Sequence, residues 1–154
     1  AGTRCSRTGA RALTSVWLAS ECRAMPKRTD DAAIAKLRAI CMALPETNEK
    51  ISHGEPTWFA GKGKVFAMLD NHHHGSPHLA VWLPQSLEGQ LTLLEADPER
   101  FFRPPYVGPK GWVGVVLDTS PDWAEIALLV RESYQLVATA KLRKALDAAK
   151  GQAL

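Results

Sequence analysis

The segment of residues 45–59 most constrains the fold of this chain, because it places prolines at positions 45 and 56 around polar and turn-forming residues. Pro56 lacks a backbone N–H donor and biases Glu55 toward extended geometry, so a long helix cannot run through this segment. Pro45 ends the helical pattern that precedes it. We therefore expect a turn here that leads from a helix into a strand.

The surrounding pattern predicts helices and hairpin-linked strands. Apolar residues at helical spacing predict helices over residues 29–44 and 86–96, and a long helix from Asp122 whose basic tail is residues 141–150. Apolar runs bounded by turn residues predict strands over residues 57–60, 64–69, 78–83 and 112–117, with a tight hairpin at 61–63. Strands and helices do not alternate, so we expect an α+β fold, an antiparallel sheet with helices packed on one face.

Length and composition indicate one ordinary globular domain. The 154 residues suffice for a sizeable core, and the three cysteines show neither disulfide nor zinc-site spacing. No apolar run approaches the roughly 20 residues of a membrane-spanning helix, so we expect no membrane association and a cytoplasmic location. Residues 1–24 are rich in Arg, Ser, Thr and Ala, like a transit peptide, but Met25 is a better candidate start. We expect residues 1–28 to be a disordered extension and residues 29–150 the domain.

The charge is unevenly distributed along the chain. The whole sequence has a formal net charge of +3, but residues 31–140 contain nine Lys/Arg and thirteen Asp/Glu. DNA binding therefore requires basic residues gathered on one face, because the overall balance does not supply them. The candidate DNA contacts lie on a hairpin tip, a Pro/Gly-rich loop and the last helix: Lys62, Lys64, Arg103, Lys110, Lys141, Arg143 and Lys144.

Two groups of polar residues are candidates for chemistry. His72, His73 and His74 follow Asp70, but consecutive side chains rarely converge on one ion, and no metal-site spacing accompanies them. We favour a polar turn and predict no metal and no cofactor. Glu46, Glu49, Lys50 and His53 could form an acid/base set, but structural hydrogen bonding in the turn is favoured, so no catalytic residue is assigned.

A third candidate is a ligand pocket that combines histidine, carboxylate and aromatic side chains. Its residues would be His53, Trp58, Asp70, His72, Tyr106 and Trp112. If these residues converge in one cavity, a small-molecule or protein-binding module, or an enzyme, is favoured. If the lysines and arginines converge on a convex face, DNA binding is favoured.

A series of short motifs extends over residues 30–145. They include Leu44-Pro45-Glu46-Thr47, Ser52-His53-Gly54, Pro56-Thr57-Trp58-Phe59, Gly63-Lys64-Val65-Phe66-Ala67, Asp97-Pro98-Glu99-Arg100-Phe101-Phe102, Pro104-Pro105-Tyr106-Val107-Gly108 and Gly111-Trp112-Val113-Gly114. In order and spacing, these motifs resemble those of the MmcQ/YjbR family. The resemblance implies a small α+β double-wing fold, related by name to CyaY-like domains. It also implies a DNA-binding role by analogy of fold, with no established catalytic residues to carry over. The leading expectation is thus a non-catalytic protein that contacts double-stranded DNA through its hairpin wings, and a protein partner is a further alternative.

Overall fold

The computed structural model describes residues 27–72 and 76–151 and contains one antiparallel sheet with helices. The sheet has the strand order β1-β2-β3-β4-β6-β5. Its strands are β1 (Thr47–Ser52), β2 (Glu55–Ala60), β3 (Val65–Asn71), β4 (Leu79–Pro84), β5 (Phe101–Phe102) and β6 (Trp112–Val116). The helices are α1 (Lys27–Met42), α2 (Leu87–Ala96), α3 (Trp123–Val137) and α4 (Ala140–Gly151). The predicted α+β fold is confirmed.

The segment of residues 45–59 is a hairpin rather than only a turn. β1 pairs with β2 from Thr47 opposite Ala60 to Ser52 opposite Glu55. The two connecting residues, His53 and Gly54, have φ values of 54° and 85°. These angles fit a type I′ turn, whose twist matches that of the flanking strands. β1 was not predicted, because an edge strand of polar residues has no apolar alternation to reveal it.

The predicted hairpin between β2 and β3 is confirmed, and a bulge follows it. Gly61 has a φ of 59°, and the Gly63 N–H donates to the Ala60 carbonyl at 3.0 Å. Beyond the turn, Trp58 pairs with Ala67 and Phe59 with Val65, so Phe66 is the extra residue of the β3 strand. Its ring makes an edge-to-face contact with Tyr134 of α3, with 5.2 Å between centroids. The bulge therefore places Phe66 on the same face as Ala67, against strict alternation.

The hydrophobic core lies between one face of the sheet and the helices. Its central row of cross-strand neighbours consists of Leu69, Val81, Val115 and Phe101, all of them buried. The helices add Leu37 and Cys41 from α1, Ile126, Leu129 and Val130 from α3, and Leu142 and Leu146 from α4. We call this the helix face of the sheet. The opposite side, which no helix of the core cluster covers, is the open face.

The long C-terminal helix predicted from Asp122 is instead two helices. The Asp122 side chain caps α3 as expected, accepting from the Ala124 N–H at 2.9 Å. The chain then becomes extended at Ala138, and α4 begins at Ala140. The Thr139 hydroxyl accepts from the Leu142 N–H at 3.4 Å, so a threonine cap restarts the helix. Among the described residues, no helix has both the length and the apolarity required to cross a bilayer.

Candidate functional site

The open face of the sheet forms the floor of a pocket. Met68 lies opposite Trp82, and Trp82 lies opposite Gly114, so these three residues form a row across the central strands. Asp70 is two residues beyond Met68 on the same face and is only 3% exposed. A nearly buried carboxylate beside an indole and a thioether is unusual on the exposed side of a sheet, because burial of a charge is costly. This combination makes the open face a candidate site.

The first wall of the pocket is the turn between β1 and β2. Ser52, His53 and Glu55 of this hairpin line the cavity. The type I′ geometry places both central residues in the left-handed region, which glycine adopts readily and histidine does not. His53 is therefore held at the pocket rim in a conformation that few residue types favour.

The second wall is the loop that joins β5 to β6, of which Tyr106 and Val107 line the cavity. Tyr106 has a φ of 65°, and the Val107 N–H donates to the Pro105 carbonyl at 2.7 Å. This hydrogen bond closes a three-residue turn, a conformation that is strained for a non-glycine residue and often occurs at functional sites. The Tyr106 side chain is 78% exposed, so its ring stands at the rim rather than in the core.

This loop is held against the molecule at two points. At its start, the Phe102 ring lies over Gly114, where a β-carbon would be only 2.3 Å from the ring. Near its end, the buried Gln90 side chain donates from Nε2 to the Gly108 carbonyl at 2.8 Å and also to the Trp112 carbonyl. A glycine at position 114 and an amide at position 90 thus fix the second wall.

The assembled cavity has a volume of about 430 Å³ and is lined by nine of the residues that the structure describes. This volume lies in the range of about 300–1,000 Å³ that is typical of small-molecule sites. Among these described lining residues, two carry carboxylates, one carries an imidazole, two are large aromatics, and none is Lys or Arg. They are Ser52, His53, Glu55, Met68, Leu69, Asp70, Trp82, Tyr106 and Val107.

Three of the six predicted pocket residues line this cavity, namely His53, Asp70 and Tyr106. The other three lie elsewhere. Trp58 is completely buried on the helix face, His72 is exposed beside Asp30, and Trp112 is half-buried where β6 begins. Trp58 belongs to the other face because it pairs with Ala67, one residue out of phase with Met68.

Other lining residues were not predicted for the pocket, among them Glu55, Met68, Trp82 and Val107. The mixed apolar and polar face of β3 does signal Met68, since Met68 and Asp70 alternate with Ala67 and Leu69. Trp82 lies in an apolar strand and is buried, but on the open face rather than in the helix-face core. No local signal places Val107, because the path of a Pro/Gly-rich loop depends on what it packs against.

The carboxylate of Glu49, considered for acid/base chemistry, instead joins α1 to the sheet. It accepts hydrogen bonds from Arg38 Nε at 2.8 Å, from Arg38 Nη2 at 3.1 Å and from Trp58 Nε1 at 2.9 Å. The hydrogen bonds from Arg38 and Trp58 hold the pKa of Glu49 below its ordinary range. These contacts are structural hydrogen bonds, the interpretation favoured for Glu49, although Glu49 lies in strand β1 rather than in a turn.

His72 and His78 pair with different carboxylates, so the described histidines do not form one cluster. His72 Nε2 lies 3.5 Å from Asp30 Oδ2, and His78 Nδ1 lies 3.2 Å from Asp118 Oδ1. His73 and His74 lie outside the described residues. Within residues 27–72 and 76–151, no group of three or more His, Cys, Asp or Glu side chains has a geometry suited to a metal ion.

The cysteine that the structure describes is not a reactive thiol. Cys41 is buried between α1 and the sheet, and burial raises the pKa of its thiol. Cys5 and Cys22 lie outside the described residues.

Four of the predicted DNA contacts lie at one end of the sheet. The β2–β3 turn carries Lys62 and Lys64, and the strand register places this turn at the same end as the start of β6, next to Lys110. Lys141 of α4 reaches the same end, where its Nζ lies 3.4 Å from Glu46 Oε1. We call Lys62, Lys64, Lys110 and Lys141 the lysine end.

The remaining predicted contacts are more dispersed. Arg143 and Lys144 are exposed on α4, and Arg103 is exposed with its stem against Gly108.

Comparisons with known proteins place these features in a family. The YjbR family model matches residues 42–136, which include every pocket-lining residue. The crystal structure of Deinococcus radiodurans protein DR2400, which has the family domain DUF419, is similar, with a TM-score of 0.59 and 25% sequence identity. The alignment covers 74% of this chain and 87% of that one. No curated protein matches the chain significantly.

Proposed function

The chain belongs to the YjbR family, as its motifs indicated, and for this member we propose that the open-face pocket binds a small organic molecule. The observation that carries the proposal is the buried carboxylate of Asp70 in a cavity of about 430 Å³ that is otherwise mainly apolar. A shaped apolar cavity with a few convergent polar groups is the usual form of a ligand site. The proposed function is binding, and no reaction is assigned.

The backbone geometry of the two walls supports this proposal. Both contain a residue with left-handed backbone geometry at the rim, His53 and Tyr106. Such geometry costs of order 1–3 kcal/mol for a non-glycine residue and persists where the surrounding structure enforces it. An exposed tyrosine supplies a large contact area with few rotatable bonds, which suits it for ligand contact.

A fragment screen followed by NMR tests the proposal. We expect members of a library balanced in charge to shift the backbone amides of the pocket residues and few others. The variant Ser52→Trp should abolish these shifts, since Ser52 lines the cavity and an indole there would occupy it. Ile51→Trp is the matched control, because Ile51 neighbours Ser52, is 67% exposed and does not line the pocket. Absence of pocket shifts at millimolar fragment concentrations contradicts the proposal.

A second candidate function is contact with the DNA backbone through the lysine end. The observation in its favour is that Lys62, Lys64 and Lys110 are exposed and make no ion pair with any carboxylate that the structure describes. Exposed lysines that make no ion pair are suited to neutralise phosphates. The slight acidity of residues 31–140 limits this contact to the local surface.

Salt titration of the affinity for a short DNA duplex tests this candidate. If the lysine end binds phosphates, log K should fall with log salt, and Lys62→Ala/Lys64→Ala should make the slope shallower by about two units. Lys36→Ala/Lys50→Ala removes the same charge from α1 and β1 and should leave the slope nearly unchanged. An equal effect of the two double variants, or no binding at low salt, argues against the lysine end.

A further inference from the structure

Strand β1 is an edge of the sheet, and its outward side pairs with no strand that the structure describes. The two-residue turn after β1 fixes which backbone groups face outward, because its flanking residues, Ser52 and Glu55, form a hydrogen-bonded pair. Such pairs alternate with non-hydrogen-bonded pairs along an antiparallel ladder. Thr47, Glu49 and Ile51 therefore direct their N–H and C=O groups away from β2.

Two observations support this assignment of the outward groups. At the far end of the ladder, the Gly61 N–H donates to the Glu46 carbonyl at 2.9 Å, so the even-numbered residues of this segment face β2. Pro56, which has no N–H, lies opposite Ile51, where no hydrogen bond to β1 is required. Among the described residues, no backbone group hydrogen-bonds to the outward side of β1. The edge therefore presents a row of backbone donors and acceptors.

The charged side chains of β1 do not shield this edge. Edge strands are commonly protected by charged residues that project from the strand. Here the Glu49 carboxylate is bound to Arg38 and Trp58 on the helix face. The Lys50 ammonium lies over the Phe59 ring, 5.3 Å from its centroid. Both charges are thus turned toward neighbouring elements rather than across the outward backbone.

The side chain of Ile51 belongs to the same edge. It is 67% exposed and lies on the helix face, as the Glu49 side chain does two residues before it. A residue directly opposite Ile51 on an added strand would be close enough to pack against it. The edge thus combines backbone hydrogen-bonding groups with one apolar contact.

The sequence of β1 disfavours pairing with a second copy of the same strand. A two-fold antiparallel pair must join outward-facing residues to each other. The registers that pair most of the strand then place the axis at Glu49 or at Lys50. Each of these registers puts a charged residue directly opposite itself, which is destabilising.

We propose that the β1 edge binds an extended peptide segment of a partner protein, which adds an antiparallel strand to the sheet. Addition of a strand to an exposed edge is a recurring mode of peptide recognition. The segment has an apolar residue opposite Ile51 and, next to it, an acidic residue opposite Lys50. Neither Ile51 nor Lys50 lines the open-face pocket, so this interaction goes beyond ligand binding and does not depend on it.

A blocked hexapeptide, acetyl-Thr-Ile-Glu-Val-Thr-Val-amide, tests the proposal by NMR titration of the full chain. In the antiparallel register, its isoleucine lies opposite Ile51 and its glutamate opposite Lys50. We expect the amides of Thr47, Glu49 and Ile51 to shift and to exchange their hydrogens more slowly, because their outward N–H groups become bonded. No shift at these amides at millimolar peptide concentration overturns the proposal.

Two N-methylated forms of this peptide are matched in composition and test the backbone pairing. Methylation of the valine nitrogen at the fourth position removes an N–H that faces β1, whereas methylation of the glutamate nitrogen at the third position removes one that points away. The first should weaken binding at least about tenfold and the second much less. Equal losses from the two methylations contradict strand addition.

A third peptide, with lysine in place of glutamate, tests the charge of the partner. It should bind about threefold more weakly, since a like charge then lies opposite Lys50. Tighter binding of the lysine peptide overturns the assigned partner chemistry.

Variants at Ile51 test the same edge from the side of the protein. Ile51→Pro removes an outward N–H and should weaken peptide binding at least about tenfold, while Ile51→Val retains it and should bind within about twofold of wild type. Circular dichroism checks folding, and the methylated peptides provide the test if Ile51→Pro is unfolded. If the edge amides of the chain alone are already protected and its sedimentation coefficient rises with concentration, a second copy occupies the edge and the proposal is wrong.

Discussion

The two faces of the sheet are built from alternating residues of the same strands, yet they differ in what covers them. Four helices pack on the helix face, which contains the buried row of Leu69, Val81, Val115 and Phe101. Among the described residues, one loop partly covers the open face, which contains Asp70, Met68 and Trp82. An antiparallel sheet can keep one face for the core and leave the other for different contacts. Stability should therefore depend mainly on the helix face, and binding on the open face.

The largest difference is expected from truncating one apolar side chain on each face. Leu83→Ala removes a fully buried side chain of the helix face and should lower the free energy of unfolding by about 2–5 kcal/mol. Met68→Ala widens a pocket that is already accessible to water, so its cost should be about 1 kcal/mol or less. Urea denaturation of both variants measures this difference. Equal losses would mean that the open face contributes to the core as much as the helix face does.

A smaller effect is expected from Glu49→Gln, which weakens the link between α1 and the helix-face residue Trp58. Loss of the charge-assisted hydrogen bonds from Arg38 and of part of the Trp58 contact should cost about 1–3 kcal/mol at neutral pH. Because the folded pKa of Glu49 is lowered, its contribution is present above the ordinary carboxyl pKa and is lost as the pH falls through the lowered value.

The urea midpoint of both proteins between about pH 3 and pH 7 checks this prediction. The difference between wild type and Glu49→Gln should shrink in acid. Glu46→Gln serves as control, since Glu46 is exposed and pairs with the exposed Lys141, and it should change stability by no more than about 1 kcal/mol. A pH-independent difference between wild type and Glu49→Gln would contradict the assigned charge.

The smallest effect on stability is expected for Tyr106→Ala on the open face. Since Tyr106 is 78% exposed and its backbone strain stays with alanine, the free energy of unfolding should change by no more than about 0.5 kcal/mol. The same substitution should weaken binding of any pocket ligand, because it removes the ring at the rim. Thermal denaturation and an NMR titration measure the two quantities, and a large loss of stability would place Tyr106 in the folding core instead.

The comparison of faces also shows why part of the fold was predictable from the sequence. The strands containing Phe66, Val81 and Val115 are apolar because helices cover one face, and that apolarity is readable without a structure. The cap Ser86 likewise marks the start of α2, accepting from the Gly89 N–H at 3.0 Å. These elements are specified by local chemistry.

The elements that the sequence did not reveal depend on non-local partners. β1 contains Glu49 and Lys50 among polar residues and is a strand because β2 pairs with it. β5 has only two residues, too few to show a period. The break between α3 and α4 at Thr139 interrupts an apolar pattern that is continuous in the sequence.

Only part of the candidate site could be predicted from the sequence, for the same reason. His53, Asp70 and Tyr106 were singled out by their chemistry, and they are in the cavity. Trp58 and Met68 could not be assigned to faces, because the bulge at Phe66 and the registers of β2 and β3 decide which side chains share a face. A pocket between a hairpin and a distant loop is a property of the tertiary structure.

The hydrogen bonds of Gln90 couple the opening of the loop between β5 and β6 to the opening of α2. The Gln90 side chain, in α2, holds both Gly108 and Trp112, so the loop over the open face cannot lift away while this helix and these hydrogen bonds stay intact. In native-state hydrogen exchange, the amides of the loop and the first turns of α2 should open together as one cooperative unit. A ligand that stabilises the closed loop should then slow exchange in α2, although no residue of that helix lines the pocket.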